Sequence, residues 1–366
     1  MDKIIDKALA LKPLTNWEAL MLFQKLPLSE LLLLGDKIRY IFHPKNEVSW
    51  QIDRNVNITN VCVGSCKFCN FHCRLSEREK SYITTIDSYK EKIDYMLTLC
   101  GDQLLLQGGM HPKLKIDFYE NLFSELKSLY PKVRLHALGA PEVFHIAKIS
   151  SISVEECLER LVSSGLDSLP GAGAEILDDK IRKTVSPGKC SATEWLEVMR
   201  AAHKINLPTS ATMMYGHIEE DIHIIEHLIK LRDLQNERPE GSYGFLAFIP
   251  WVCCTYGTKL AKEFDIKSPT SEKYLRIIAI SRIVLNNINN IQASWLTMGR
   301  NLATLALHSG ANDLGSIMIE ENVVASAGIT NKMDENMMKK TIISAGFTPF
   351  LRNQLYERRE GVNYKL

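Results

Sequence analysis

Three cysteines, Cys62, Cys66 and Cys69, stand in the spacing C-x3-C-x2-C within the stretch NVNITNVCVGSCKFCNFHC. Three thiolates on one compact loop can turn inward and grip three corners of a small inorganic cluster. A fourth protein ligand, for which Cys73 or His72 is close enough in sequence, would instead close a structural zinc or a four-cysteine iron–sulfur site. Composition alone gives roughly 0.005 occurrences of this spacing in such a chain, so chance is a poor explanation. The other cysteines (Cys100, Cys157, Cys190, Cys253 and Cys254) show no ligand-like grouping beyond one adjacent pair, and read as small buried hydrophobes.

Other side chains can do proton chemistry or hold a ligand. His111, His136, His145 and His217 fall near expected strand ends, where an imidazole can orient a substrate or accept a proton. Glu320 and Glu321 end the last expected strand; successive strand residues face opposite ways, so one of the two should point inward as a candidate base. Gln107, Gly108 and Gly109 end another strand, and paired glycines let a ligand approach the backbone closely.

These residues need elements to position them. Expected strands are Val56–Thr59, Gln103–Gln107, Val133–Leu138, Leu166–Leu169, Thr209–Met214, Gly244–Ile249, Ile291–Leu296 and Ser316–Ile319. Between them run helical patterns such as Asp117–Leu129, Val154–Ser163, Thr193–Lys204, Ile218–Leu234, Ser271–Asn286 and Asn301–His308. That alternation implies parallel strands with helical crossovers: an α/β (β/α)8 TIM-like barrel, with an open doubly wound sheet as the alternative. The expected organisation is a helical N-terminal extension (1–47), a barrel (48–320) and a C-terminal segment packed on it (321–366). In a barrel, the loops after the strands share one face, and the cysteine loop falls on that face.

Composition narrows the function classes. Lys and Arg number 44 against 43 Asp and Glu, so nothing draws the chain broadly to nucleic acid or anionic lipid. The first twenty residues mix charges among apolar positions, unlike a signal peptide, and no run reaches the roughly 20 apolar residues of a membrane span. A cytoplasmic protein with reduced thiols is the expectation.

The motif Cys62-Val-Gly-Ser-Cys66-Lys-Phe-Cys69, with aromatic Phe68 before the last cysteine, resembles that of the radical S-adenosylmethionine (SAM) enzymes. Further stretches, LLLQGGMHP, LDSLPGAGAEIL, ATMMYGHIEE, GFLAFIPW and GSIMIEENVV, resemble the radical SAM enzymes of the futalosine route to menaquinone. The resemblance runs from about residue 50 onward. FIPW, GANDLGS and IEENVV look like the cyclase branch rather than its sister, the aminofutalosine synthase. Two departures are Ala172, where the family usually has a third glycine, and Val252–Thr255, where it has a Phe/Gln/Pro-containing stretch.

The resemblance implies a [4Fe–4S] cluster on Cys62, Cys66 and Cys69, with SAM chelating the fourth iron. It implies SAM contacts from Phe68, Gln107, Gly108 and Gly109, a ribose or ammonium contact from Glu175, and Arg182 facing the SAM carboxylate. Dehypoxanthine futalosine is the implied substrate, attacked at the ribose C4′ hydrogen and closed onto its benzoate ring, with His217, Glu320 or Glu321 as base. A small electron donor such as flavodoxin or ferredoxin is the implied partner. A non-catalytic zinc or iron–sulfur protein is the reading from another class.

Overall fold

The computed structural model describes residues 1–359. Its first barrel stave is made of two strands, β1 (Glu47–Gln51) and β2 (Asp53–Asn57), interrupted at Ile52. On one side β1 pairs with β8 (Asp313–Ser316); on the other, β2 pairs with β3 (Gln103–Gln107), with Asp53 opposite Gln103. From β3 the ring continues to β4 (Arg134–Ala137) and through single bridges at Ser168 and Leu169 to β5 (Thr209–Tyr215). It then passes to β6 (Phe245–Val252) and β7 (Asn290–Ile291), and Gln292 bridges Asp313 of β8. These pairings are all parallel, so the sheet closes on itself as the eight-stave barrel expected.

Three helices, α1 (Asp2–Leu9), α2 (Asn16–Lys25) and α3 (Leu28–Phe42), precede the barrel. The crossovers carry α4 (Ile86–Thr98), α5 (Ile116–Leu129), α6 (Ala140–Ser150), α7 (Val154–Ser163), α8 (Asp179–Val185) and α9 (Ala192–Lys204). They continue with α10 (Asp221–Glu237), α11 (Lys259–Glu263), α12 (Ser271–Val284), α13 (Trp295–Met298) and α14 (Arg300–Leu307). Starts of several helices are written locally: Ser153 caps α7, and a reciprocal Ser191–Glu194 capping box opens α9. α3 packs on α12 and α2 on α10, which seats the N-terminal helices on the barrel's outer layer. Last come α15 (Glu335–Ser344) and β9 (Thr348–Leu351), the latter hydrogen-bonded in parallel beside β1 on the edge opposite β8.

Several expected boundaries moved for physical reasons. The first stave begins well before Val56, because its inward residues Asp53, Asn55 and Asn57 are polar and hide the usual apolar alternation. Leu166–Leu169 shrinks to two bridges; the Asp167 carboxylate accepts the Leu135 N–H at 2.8 Å, replacing a ladder bond. The stave expected at Ile291–Leu296 ends at Ile291. Ser294 there donates its N–H to the Tyr274 hydroxyl at 2.9 Å and its hydroxyl to the Pro250 carbonyl, and the chain turns into α13. The last stave sits at Asp313–Ser316, three residues earlier than expected, so Glu320 and Glu321 lie in the loop beyond it.

Candidate active site

The cysteine loop springs from β2 and is pinned by backbone bonds at several points. Cys62 N–H donates to the Cys73 carbonyl at 3.0 Å, Ser65 N–H to Pro187 at 3.0 Å and Lys67 N–H to Val185 at 2.8 Å. Arg74 closes the turn from outside, donating to the carbonyls of Cys62 (2.8 Å) and Gly64 (3.0 Å) and to the Ser65 hydroxyl (2.6 Å). A Cβ built on Gly64 would stand 3.2 Å from the Cys62 sulfur and 4.0 Å from that of Cys66, so both thiols crowd one side of the loop.

Cys62 Sγ accepts long bonds from the N–H groups of Gly64 (3.3 Å) and Met110 (3.4 Å). Burial pushes the Cys66 thiol up to about 12, so it stays protonated until a metal takes it, while the Lys189 ammonium pulls the other way. Among the described residues no three His, Cys, Asp or Glu side chains converge on a single metal ion. Three thiols, backbone donors to one sulfur and an ammonium near another form a donor set that fits an electron-rich [4Fe–4S] cluster. Cys73 takes a structural place: it is buried, its N–H bonds the Asn60 carbonyl at 2.9 Å, and it bridges Val61.

Beneath the loop lies a cavity of about 330 Å³ inside the barrel. Phe68, Gln107, Glu175 and Lys189 line its upper part. Glu175 is a non-glycine residue at φ +45°, and its carboxylate accepts from Lys189 Nζ at 2.5 Å. Burial opposes ionisation of Glu175, but Lys189 and Arg182 outweigh it and hold the carboxyl below its ordinary range. The same ammonium sits 5.6 Å above the Phe68 ring. Lys189 went unnoticed in the sequence; its place depends on α8 folding back over the cysteine loop.

One wall of the cavity is polar, with Gln51, Asp53, Asn55, Gln103 and His136 from the first three staves. The facing wall is richer in apolar groups, with Leu246, Ile249, Trp251, Trp295 and Leu296 beside Gln292, Ser294 and Thr297. His136, one of four histidines near strand ends, meets Ser168 Oγ at 2.7 Å, and burial pushes its imidazole down to about 3. The tail after β9 contributes Arg352, Gln354 and Tyr356 to the lining.

Other expected site residues stand elsewhere. Arg182 is buried and spends its guanidinium on the carbonyls of Cys190 (2.7 and 3.2 Å), Gly173 (3.1 Å) and Ala174 (2.5 Å), so it clamps the loop. Gly108 and Gly109 make backbone-on-backbone contact: a Cβ on Gly109 would lie 2.1 Å from the Val61 carbonyl oxygen, and one on Gly108 2.9 Å from that of Thr59. They seat the cysteine loop, and Gln107 alone of the three lines the cavity. His217 lies outside the lining with both nitrogens spent: Nδ1 accepts from Ile218 N–H at 2.8 Å and Nε2 donates to the Met214 carbonyl at 3.1 Å. Glu320 turns to Arg54 (2.7 Å) and Lys92, whereas Glu321 lines the cavity. Both Glu321 oxygens accept backbone N–H groups, from Val323, Val324 and Ala325 at 2.7–3.1 Å. Ala172 has no positive φ, so the usual glycine is not required there.

A parallel barrel whose first stave runs into a three-cysteine loop over a central cavity is the arrangement of the radical SAM enzymes. Residues 56–231 match the Radical SAM superfamily and residues 242–364 the CofH/MqnC C-terminal region. The chain is 40% identical to the cyclic dehypoxanthine futalosine synthase of Streptomyces coelicolor, over 98% of this chain and 88% of that one. It is 38% identical to the 5-amino-6-(D-ribitylamino)uracil–L-tyrosine 4-hydroxyphenyl transferase of Archaeoglobus fulgidus, over 88% and 89%. Methylornithine synthase (TM-score 0.70, 18% identity, 94% of this chain and 97% of that one) shares the fold. So does the hydrogenase maturase HydG of Carboxydothermus hydrogenoformans (TM-score 0.73, 13% identity, 97% and 80%). The chain belongs to the radical SAM family that contains the cyclic dehypoxanthine futalosine synthases, and its cofactors are a [4Fe–4S] cluster and SAM.

Proposed function

We propose that the protein is the cyclase that converts dehypoxanthine futalosine to its cyclic product in menaquinone biosynthesis. The observation that carries this reading is the two-faced cavity under the cysteine loop. Its amide- and carboxylate-lined wall suits a sugar, and its wall of Trp251, Trp295, Leu246 and Ile249 suits an aromatic ring. Two relatives with cyclase names, at 37–40% identity over 98% of this chain, support it.

Cys62, Cys66 and Cys69 would hold the cluster, and Phe68, Gln107, Glu175 and Lys189, which line the cavity, would bind SAM. Bound there, the two cofactors supply a 5′-deoxyadenosyl group able to take a hydrogen atom from the substrate. The protein's own part is placement: the apolar wall fixes the ring against the ribose and keeps out water, and the polar wall holds the sugar. Among the described residues no helix is long and apolar enough to cross a membrane. Our reading places the enzyme in the cytoplasm, with a flavodoxin or ferredoxin as electron donor and no nucleic acid or membrane partner.

The decisive experiment is one anaerobic turnover with substrate deuterated at ribose C4′. Deuterium should appear in 5′-deoxyadenosine. An adenosyl adduct from an enolpyruvyl benzoate, or coupling of tyrosine to 5-amino-6-(D-ribitylamino)uracil, with no deuterium transfer from the futalosine compound, would overturn the assignment.

A further inference from the structure

Three carboxylates line the cavity, and two are already occupied: Glu175 by the Lys189 ammonium, Glu321 by three backbone N–H groups. Asp53 differs. It is only 6% exposed, yet among the described residues no salt bridge reaches it, the nearby Arg352 pairing with Asp313 instead. Its Oδ1 accepts from the Ser316 hydroxyl at 2.5 Å, and its Oδ2 has only a long bond, 3.4 Å, from the Gln103 amide. Arg352 is spent on Asp313 (2.6 and 3.2 Å) and Gln51 (2.7 Å). Burial raises the Asp53 carboxyl to about 6, with Asp102 adding to the rise and Ser316, Arg352 and Gln103 opposing it.

The surroundings of Asp53 are also under-bonded. Asn55, the next inward residue of β2, Gln103, opposite Asp53 in β3, and Gln51 all line the cavity. Each is at least nine-tenths buried with one amide atom lacking a partner: Asn55 Oδ1, Gln103 Oε1 and Gln51 Nε2. A buried polar atom left unpaired is destabilising, because its lost hydration is not replaced. Such a wall is built for a ligand that brings hydrogen bonds with it. A carboxylate flanked by neutral groups prefers hydroxyl donors, and a pair of vicinal hydroxyls can donate to its two oxygens together. Its negative charge also repels an aromatic acid.

We propose that Asp53, flanked by Asn55 and Gln103, is the subsite that accepts the vicinal hydroxyls of the substrate's sugar, which directs the benzoate away from this wall. This rests on the cyclase reading. Asp53 is thereby a substrate-binding residue, held in place by Ser316.

Calorimetry of the reconstituted, SAM-loaded enzyme under anaerobic conditions tests it, with dehypoxanthine futalosine and its 2′,3′-dideoxy analogue as probes. Asp53→Asn should weaken binding of the substrate about 10- to 100-fold, the loss of one charge-assisted hydrogen bond or more. SAM affinity and the visible cluster absorbance should stay unchanged, and the dideoxy analogue should bind both forms equally. Ser316→Ala, a milder change should Asp53→Asn fold poorly, should cause a smaller loss in the same direction. Equal substrate affinity in wild type and both variants, or an equal loss for the analogue, overturns the subsite while leaving the cyclase reading intact. Failure of the unaltered protein to bind the substrate at all overturns the cyclase reading, and the subsite with it.

Discussion

Glu320 and Glu321 are sequence neighbours in opposite electrostatic settings. Burial raises Glu321, and its backbone donors only partly offset that. Burial acts on Glu320 too, but Lys92, Asn322 and Arg54 overcome it and bring the carboxyl down to about 2. A carboxyl whose folded value is depressed stabilises the fold above its unfolded value near 4.5, and that contribution fades as pH falls toward 2. Glu320→Gln should therefore lower Tm of the apoprotein at pH 6, with the gap to wild type narrowing steadily toward pH 3. The cysteines give a second prediction: Cys62→Ala, Cys66→Ala or Cys69→Ala should each lose the cluster's visible absorbance and reductive SAM cleavage, and Cys73→Ala should keep both. The cysteine triplet was legible because ligand spacing is local in sequence. Lys189 and Asp53 were not, since each gains its meaning from residues far away in the chain. Sequence position likewise does not show that Arg182 and His217 spend donors on backbone carbonyls.

Among the elements, β9 bears most on stability. Its successor Arg352 forms a bidentate pair with Asp313 of β8, both side chains almost fully enclosed, and lies 3.8 Å over the Tyr356 ring. Replacing one partner leaves the other charge buried alone. Arg352→Ala should cost about 3–5 kcal/mol in urea unfolding of the apoprotein. Adding Asp313→Asn to it should recover part of the loss. Elements with clean apolar periods, such as β3 and α7, were legible to the residue. The stave at Ser168–Leu169 and the short β7 were not, because side chains of Asp167, Ser294 and Tyr274 take over bonds a ladder would make. β9 was also hidden: four residues with a proline among them, TPFL, are too short to stand out as a strand until β1 lies alongside.

At the scale of the molecule, the barrel follows from alternating strand and helix patterns, and the face bearing the site follows from strand direction. The cavity's division into polar and apolar walls did not show in the sequence, since it depends on which staves face one another across the ring. A fourth prediction belongs here. Glu175→Gln keeps shape and removes charge beside Lys189, so SAM affinity should fall while iron content holds, measured by equilibrium dialysis and iron assay.

β1 has both its partners, β8 and β9, near the far end of the chain, with Ser49 opposite Asp313 and Phe350. During synthesis the first stave is made early, and its edge waits for nearly all the rest of the polypeptide to emerge. Closure therefore carries a large loop entropy and comes late. Until then the cysteine loop has no finished wall beneath it, and the open edge of β1 is an exposed strand of the kind that invites mispairing.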